Sequence, residues 1–273
     1  MDFDVFFILK AIVIAIVEGI TEFLPISSTG HMILVGHFIG FEGSFEKLFE
    51  IVIQFGAILA IVVLFKDKIF NSFKNLSPGE YGFKLWTNIF IAVIPAVVVG
   101  LFLHEKVTQT LMRPFPVALS LVIGGLFMIY AEKKFRNKNK ILHIEDVSFK
   151  NAFFIGLFQI LAILLPGFSR SASTIIGSWI IGLSAVTGAE FAFFLALPTV
   201  FGASLYALLN IGFVLSVKEI AALIIGFSIS FLIALVVVEQ FVNYIKYQSL
   251  KGFAVYRILL GLLIIILHLF NII

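Results

Sequence analysis

Six apolar stretches close to the length of a bilayer crossing constrain this chain more than any other feature. They run over Leu48–Phe65, Leu85–Leu103, Phe115–Ala131, Phe191–Leu209, Ile220–Val238 and Phe253–Phe270. A helix needs roughly 20 such residues to cross the hydrocarbon core. Of the 273 residues 61% are apolar and 13% are charged, whereas soluble domains carry about 25% charged residues. The chain therefore lacks the polar surface of a soluble fold, and its expected class is an all-α polytopic membrane protein. No basic segment precedes the first apolar run, and Glu18 and Glu22 stand where small residues would mark a cleavage site, so a cleaved signal is not expected. Cysteine is absent, which excludes disulfides, thiolate catalysis and Cys-ligated metals. The net charge of +3 is scattered over loops. Without a dense basic tract no nucleic-acid partner is expected, and the bilayer is the first partner.

Two further apolar regions are interrupted. Phe6–Leu24 ends at Pro25 and runs into Ser27-Ser28-Thr29; Ala152–Leu165 ends at Pro166-Gly167 and runs into Ser169-Arg170-Ser171. Each reads as a helix that enters the membrane and stops, followed by a short helix leaving again. Broken backbone at membrane depth survives only where protein or a water-filled cavity satisfies it. The two breaks also match each other. Aligning Pro25 with Pro166 sets Glu18 on Gln159, Leu24 on Leu165 and Ser28 on Ser169; downstream, Glu50 falls on Glu190 and Gly124 on Gly261. The expected architecture is two inverted-topology repeats, 1–135 and 150–273, in one integrated membrane domain. Each repeat is a re-entrant helical hairpin plus three spans, giving six transmembrane helices and two hairpins.

Charge orients this arrangement. One side carries Lys66, Lys68, Lys74, Lys84, Lys133, Lys134, Arg136, Lys138, Lys140, Lys150, Lys246 and Lys251, and the other only Lys10, Lys47, Lys106, Arg113 and Lys218. The richer side is assigned to the cytoplasm and both termini to the outside. Inverted repeats with broken helices build sites near the bilayer midplane, in transporters as well.

Ionisable groups inside apolar segments cost at least ~2.5–3.5 kcal/mol each on insertion scales, and so are functional candidates. Here they gather at the breaks. Glu18 and Glu22, spaced i, i+4, share one helical face and suit a hard divalent cation held against a phosphate; the bland reading is a pair of interfacial carboxylates. Ser27 or Ser28 caps the helix after Pro25, whose free N–H groups offer an anion site, with His31 three or four residues on. Ordinary capping is the alternative there. At the second break Ser169, Ser171, Ser173 and Thr174 surround Arg170, whose forked guanidinium matches phosphate oxygens. An unpaired Arg is hard to place at this depth, and the nearest carboxylates are those of the other repeat. Metal-ligand carboxylates, an anion cradle, a nucleophile candidate (Ser28 or His31) and a proton carrier together suit phosphoryl transfer. Glu50 and Glu190, at matching positions, are candidate supports. The Lys133–Lys140 run reads as a positive-inside loop.

Val17-Glu18-Gly19-Ile20-Thr21-Glu22-Phe23-Leu24-Pro25-Ile26-Ser27-Ser28-Thr29-Gly30-His31 resembles the Glu-rich motif of the undecaprenyl-diphosphate phosphatases linked to bacitracin resistance, and Leu165-Pro166-Gly167-Phe168-Ser169-Arg170-Ser171 with Thr174 resembles their second signature. Gln54, Gly56-Ala57-Ile58-Leu59-Ala60, Glu190-Phe191-Ala192-Phe193 and Tyr256-Arg257 agree as well, so the likeness covers essentially the whole chain. It implies an enzyme of the bacterial inner membrane that removes the terminal phosphate of a polyprenyl diphosphate, recycling the lipid carrier for cell-wall synthesis with the help of Mg²⁺ or Ca²⁺. Carried over, Glu18 and Glu22 become the metal or base residues and Ser28 or His31 the nucleophile. Arg170 becomes the phosphate clamp, with Ser27, Ser169, Ser171 and Thr174 as phosphate donors. Ala172 stands in place of the family's usual Gly, and Ala185 where many members carry Arg. The rival class is a transporter or flippase of a polyprenyl phosphate lipid, and both a monomer and a homodimer are open.

Overall fold

The computed structural model describes residues 5–41, 43–136, 140–209 and 215–273. Lys138, one of the charges used for orientation, lies outside them. Among the described residues the secondary structure is helical, apart from one isolated bridge between Ile141 and Leu183. The helices are α1 (Val5–Thr21), α2 (Ser28–Ile39), α3 (Ser44–Leu64), α4 (Lys66–Lys74), α5 (Tyr81–Leu111), α6 (Pro114–Phe135), α7 (Phe149–Leu164), α8 (Arg170–Ile180), α9 (Ala185–Leu209), α10 (Val217–Tyr247) and α11 (Lys251–Leu269).

Six of them, α3, α5, α6, α9, α10 and α11, are long and apolar enough to cross a membrane. These are the six stretches expected from sequence, and the protein is a multi-pass membrane protein. At 16 residues, α7 reaches about 24 Å at 1.5 Å per residue, short of the roughly 30 Å core; the described part of α1 has 17 residues. The nine-residue α4 was not expected. It alternates Lys66, Lys68 and Lys74 with exposed Phe70 and Phe73, too short and too charged to register as a span.

Packing follows small residues, since apolar helices gain nothing from leaving lipid unless their backbones approach closely. Helix α1 lies on α10 at Gly19, where a Cβ would meet the Ser230 carbonyl at 2.9 Å; α7 lies on α5 at Gly156, against the Ala92 carbonyl; α6 and α11 meet through Gly125 and Gly261. Helices α3, α9 and α10 pack together around Phe193, which meets Phe23 edge-on at 5.8 Å and Phe241 at 6.2 Å. Phe23 lies two residues beyond the end of α1, so the first break is anchored in the central core. The segment between the halves is pinned as well: Lys140 and Ile141 donate to the Gly182 carbonyl, and Ser184 donates back to that of Ile141.

Candidate active site

The two breaks are built alike. Helix α1 ends at Thr21 and α7 at Leu164, a few residues before Pro25 and Pro166. Each chain then turns through a serine with positive φ, Ser27 at 70° and Ser169 at 74°. That conformation is costly for a residue other than glycine and persists where the surroundings hold it. Ser27 Oγ accepts from Gly30 N at 3.4 Å and Ser169 Oγ from Ala172 N at 3.2 Å, so both serines are N-caps of the short outgoing helices α2 and α8. The matched pair is thus Ser27 with Ser169, not Ser28 with Ser169 as the proline alignment gave. The second break holds one residue more between proline and cap. Ala172 supplies the N–H that the cap needs.

With this register Ser28 and Arg170 become the equivalent first residues of α2 and α8, and both donate to one carboxylate. Arg170 Nη2 lies 3.0 Å from Glu22 Oε1, and Ser28 Oγ donates to Glu22 Oε2 at 2.7 Å. The guanidinium also sits 5.6 Å from the Phe23 ring centre and reaches the Ala192 carbonyl at 3.5 Å. Glu22, Ser28 and Arg170 are all only partly buried. The two breaks thus meet at an accessible junction.

Glu18, one turn earlier, is 3% exposed and forms no ion pair among the described residues. It stands within electrostatic reach of Glu22, Glu50 and Arg170. Glu190, the other candidate support, is paired with Lys68 of α4. Among the described residues no three His, Asp or Glu side chains converge on a metal cage.

The hydroxyls expected to bind phosphate are committed differently. Ser171 Oγ donates to the Leu24 carbonyl at 2.8 Å and lies 3.0 Å from Ser169 Oγ, stitching the second break to the first. Thr174 Oγ1 bonds the carbonyls of Arg170 and Ser171 within α8, at 2.9 and 3.2 Å. His31 is buried, with Nδ1 2.7 Å from the Ser27 carbonyl and Nε2 2.7 Å from the Tyr256 hydroxyl. A carbonyl only accepts, so Nδ1 carries the hydrogen, and a neutral ring then receives the tyrosine O–H at Nε2. Beside His31 a cleft of about 590 Å³ opens, walled by Val17, Ile20, Ile26, Phe253 and Tyr256 among others.

Sequence reasoning noticed Tyr256-Arg257 only as a likeness and assigned it no role. In the structure Arg257 has no exposed surface. Its Nη1 donates to the Pro25 carbonyl at 3.3 Å, and Nη2 to those of Gly167 and Phe168 at 2.9 and 2.6 Å. The available signal was a charged residue inside the last apolar stretch.

The bacitracin resistance protein BacA family matches residues 11–263 of this chain. An undecaprenyl-diphosphatase of Clostridium tetani (strain Massachusetts / E88) is 49% identical over 267 residues, covering 97% of this chain and 98% of that one. Undecaprenyl-diphosphatases of Caldanaerobacter subterraneus subsp. tengcongensis and Thermoanaerobacter pseudethanolicus are 50% and 51% identical, each over 95% of this chain and 96% of theirs. On a match of that extent, the chain belongs to the bacitracin resistance protein BacA family.

Proposed function

We propose that this protein hydrolyses undecaprenyl diphosphate to undecaprenyl phosphate and inorganic phosphate, returning the lipid carrier to cell-wall synthesis and thereby giving bacitracin resistance. The names of its relatives point there, and one observation carries the chemistry: Glu22 receives a serine hydroxyl on one oxygen and an arginine on the other, each from a different break. A hydroxyl within hydrogen-bond reach of a carboxylate is the arrangement of an activated nucleophile. Ser28 Oγ attacks the terminal phosphorus while its proton passes to Glu22. The bridging P–O bond breaks, and undecaprenyl phosphate leaves, carrying the proton. Water then cleaves the phosphoserine, giving its proton back to Ser28 Oγ through Glu22 and releasing orthophosphate. Arg170 and the free N–H groups opening α2 and α8 stabilise charge on the transferring group. Both ring nitrogens of His31 are engaged, which favours Ser28 over His31 as the attacking group. Ser27, Ser169, Ser171 and Thr174 shape the cradle.

A divalent cation, Mg²⁺ or Ca²⁺, fits the donors present. Mg²⁺ in phosphoryl-transfer sites is held by one or two carboxylates, with substrate phosphate and water completing its shell. Glu18, buried and without an ion pair among the described residues, would be its principal ligand, with Glu22 beside it. When bound it neutralises phosphate charge. The cleft walled by Val17, Ile20 and Ile26 adjoins this corner and suits the first isoprene units of the lipid.

The reading includes topology. Hairpins α1–α2 and α7–α8 dip from opposite leaflets as parts of two inverted repeats, 1–135 and 150–273, with both termini outside the inner membrane. Short α7, the matched caps, the packing of α1 on α10 and α7 on α5, and the charge bias support it. Purified protein in detergent, where no gradient exists, should release phosphate from undecaprenyl diphosphate; a transporter or flippase would not.

A further inference from the structure

We propose that Arg257 is a positioning residue of this reaction. It sets the separation of the two breaks, and through them the Glu22–Ser28–Arg170 geometry, without touching the substrate. The inference rests on the phosphatase reading. Its basis is that one buried guanidinium donates to carbonyls of both breaks, Pro25 in the first and Gly167 and Phe168 in the second. Among the described residues no carboxylate pairs with it. Its charge is answered by backbone dipoles alone, and those dipoles lie immediately ahead of the two N-caps. Pro25 is two residues before Ser27, and Phe168 directly precedes Ser169. The contacts therefore fix the chain where it enters the positive-φ serines, one step ahead of Ser28 and Arg170.

Only a planar fork with donors in divergent directions can hold both turns; lysine, a compact point donor, cannot. The surroundings are shaped to the guanidinium. Gly124 of α6 leaves room for it, since a Cβ there would stand 3.0 Å from Arg257 Cζ, and the Phe168 ring lies 5.8 Å away. The preceding residue, Tyr256, holds His31, so two adjacent positions of α11 grip the first break from separate sides. A misplacement of about 1 Å costs roughly 100-fold in rate when the reacting groups must be aligned. Loosening this tie should therefore act on turnover rather than on substrate affinity.

The test compares Arg257→Met, Arg257→Lys and Gly124→Ala with the unaltered protein in detergent, measuring phosphate release and thermal unfolding. Arg257→Met is expected to lower kcat about 100-fold with KM changed less than about threefold, and Arg257→Lys to fall between it and the parent. Gly124→Ala, which crowds the guanidinium while leaving it in place, should lower kcat about tenfold. In a Glu22→Gln background, adding Arg257→Met should change kcat less than about threefold, because the geometry it sets has already lost its use. A mere packing residue would cost the same factor in both backgrounds, and that result overturns the proposal. So does turnover of a folded Arg257→Met within threefold of the parent. Should Arg257→Met not fold, normal kcat in stable Gly124→Ala overturns it instead. A parent protein releasing no phosphate overturns the phosphatase reading and this inference with it.

Discussion

Glu22 and Arg170, 148 residues apart in the chain, form a 3.0 Å ion pair that joins the two broken helices. Their side chains are 7% and 15% exposed, so each charge is held in place chiefly by the other. Removing one partner of such a pair costs about 3 kcal/mol or more, because the remaining charge is left desolvated. Arg170→Met should therefore lower the unfolding temperature in detergent, and adding Glu22→Gln should recover part of the loss. Strictly additive losses would mean that the pair is not coupled.

Ser28 donates to the Glu22 oxygen that Arg170 leaves free. If it is the nucleophile, Ser28→Ala lowers kcat by at least ~1000-fold, and acid quench of the parent traps a phosphoserine that maps to residue 28. His31→Gln should keep the phosphoserine while slowing turnover. A label on His31 would reverse these assignments.

Glu18 brings a buried carboxylate to the corner beside the junction. Chelation by EDTA should abolish phosphate release, and Mg²⁺ or Ca²⁺ should restore it. Glu18→Ala should raise the half-saturating Mg²⁺ concentration about tenfold or more. Turnover unchanged by chelation would remove the metal from the mechanism.

The cysteine-free chain makes topology directly measurable. Ser77 in the α4–α5 turn and Thr108 near the end of α5 are both exposed. In intact cells a membrane-impermeant maleimide should label Thr108→Cys and spare Ser77→Cys until the membrane is opened. The opposite pattern would invert the protein.

The spans and the breaks were legible in the sequence because their signals are local: apolar length for the first, proline followed by hydroxyl residues for the second. That Arg170 must find a carboxylate of the other half was legible too, through the cost of a lone charge in apolar surroundings. The register of the breaks was not. Aligning prolines misplaces the caps by one residue, and only backbone conformation pairs Ser27 with Ser169. Arg257 escaped because its partners are backbone carbonyls, which leave no mark on side-chain patterns. The phosphate roles given to Ser171 and Thr174 came from the family resemblance; their hydroxyls bond the Leu24 carbonyl and the first turn of α8, contacts that side-chain patterns do not announce.

The central claim is that the acidic pair and Arg170 serve one diphosphate. Steady-state phosphate release by Glu22→Gln, Arg170→Lys and their double variant tests it most directly. Each single change should lower kcat by about 100-fold or more, with the double variant little worse than either, since both disable the same assembly. Near-normal turnover in either single variant, with the fold intact, would contradict the account.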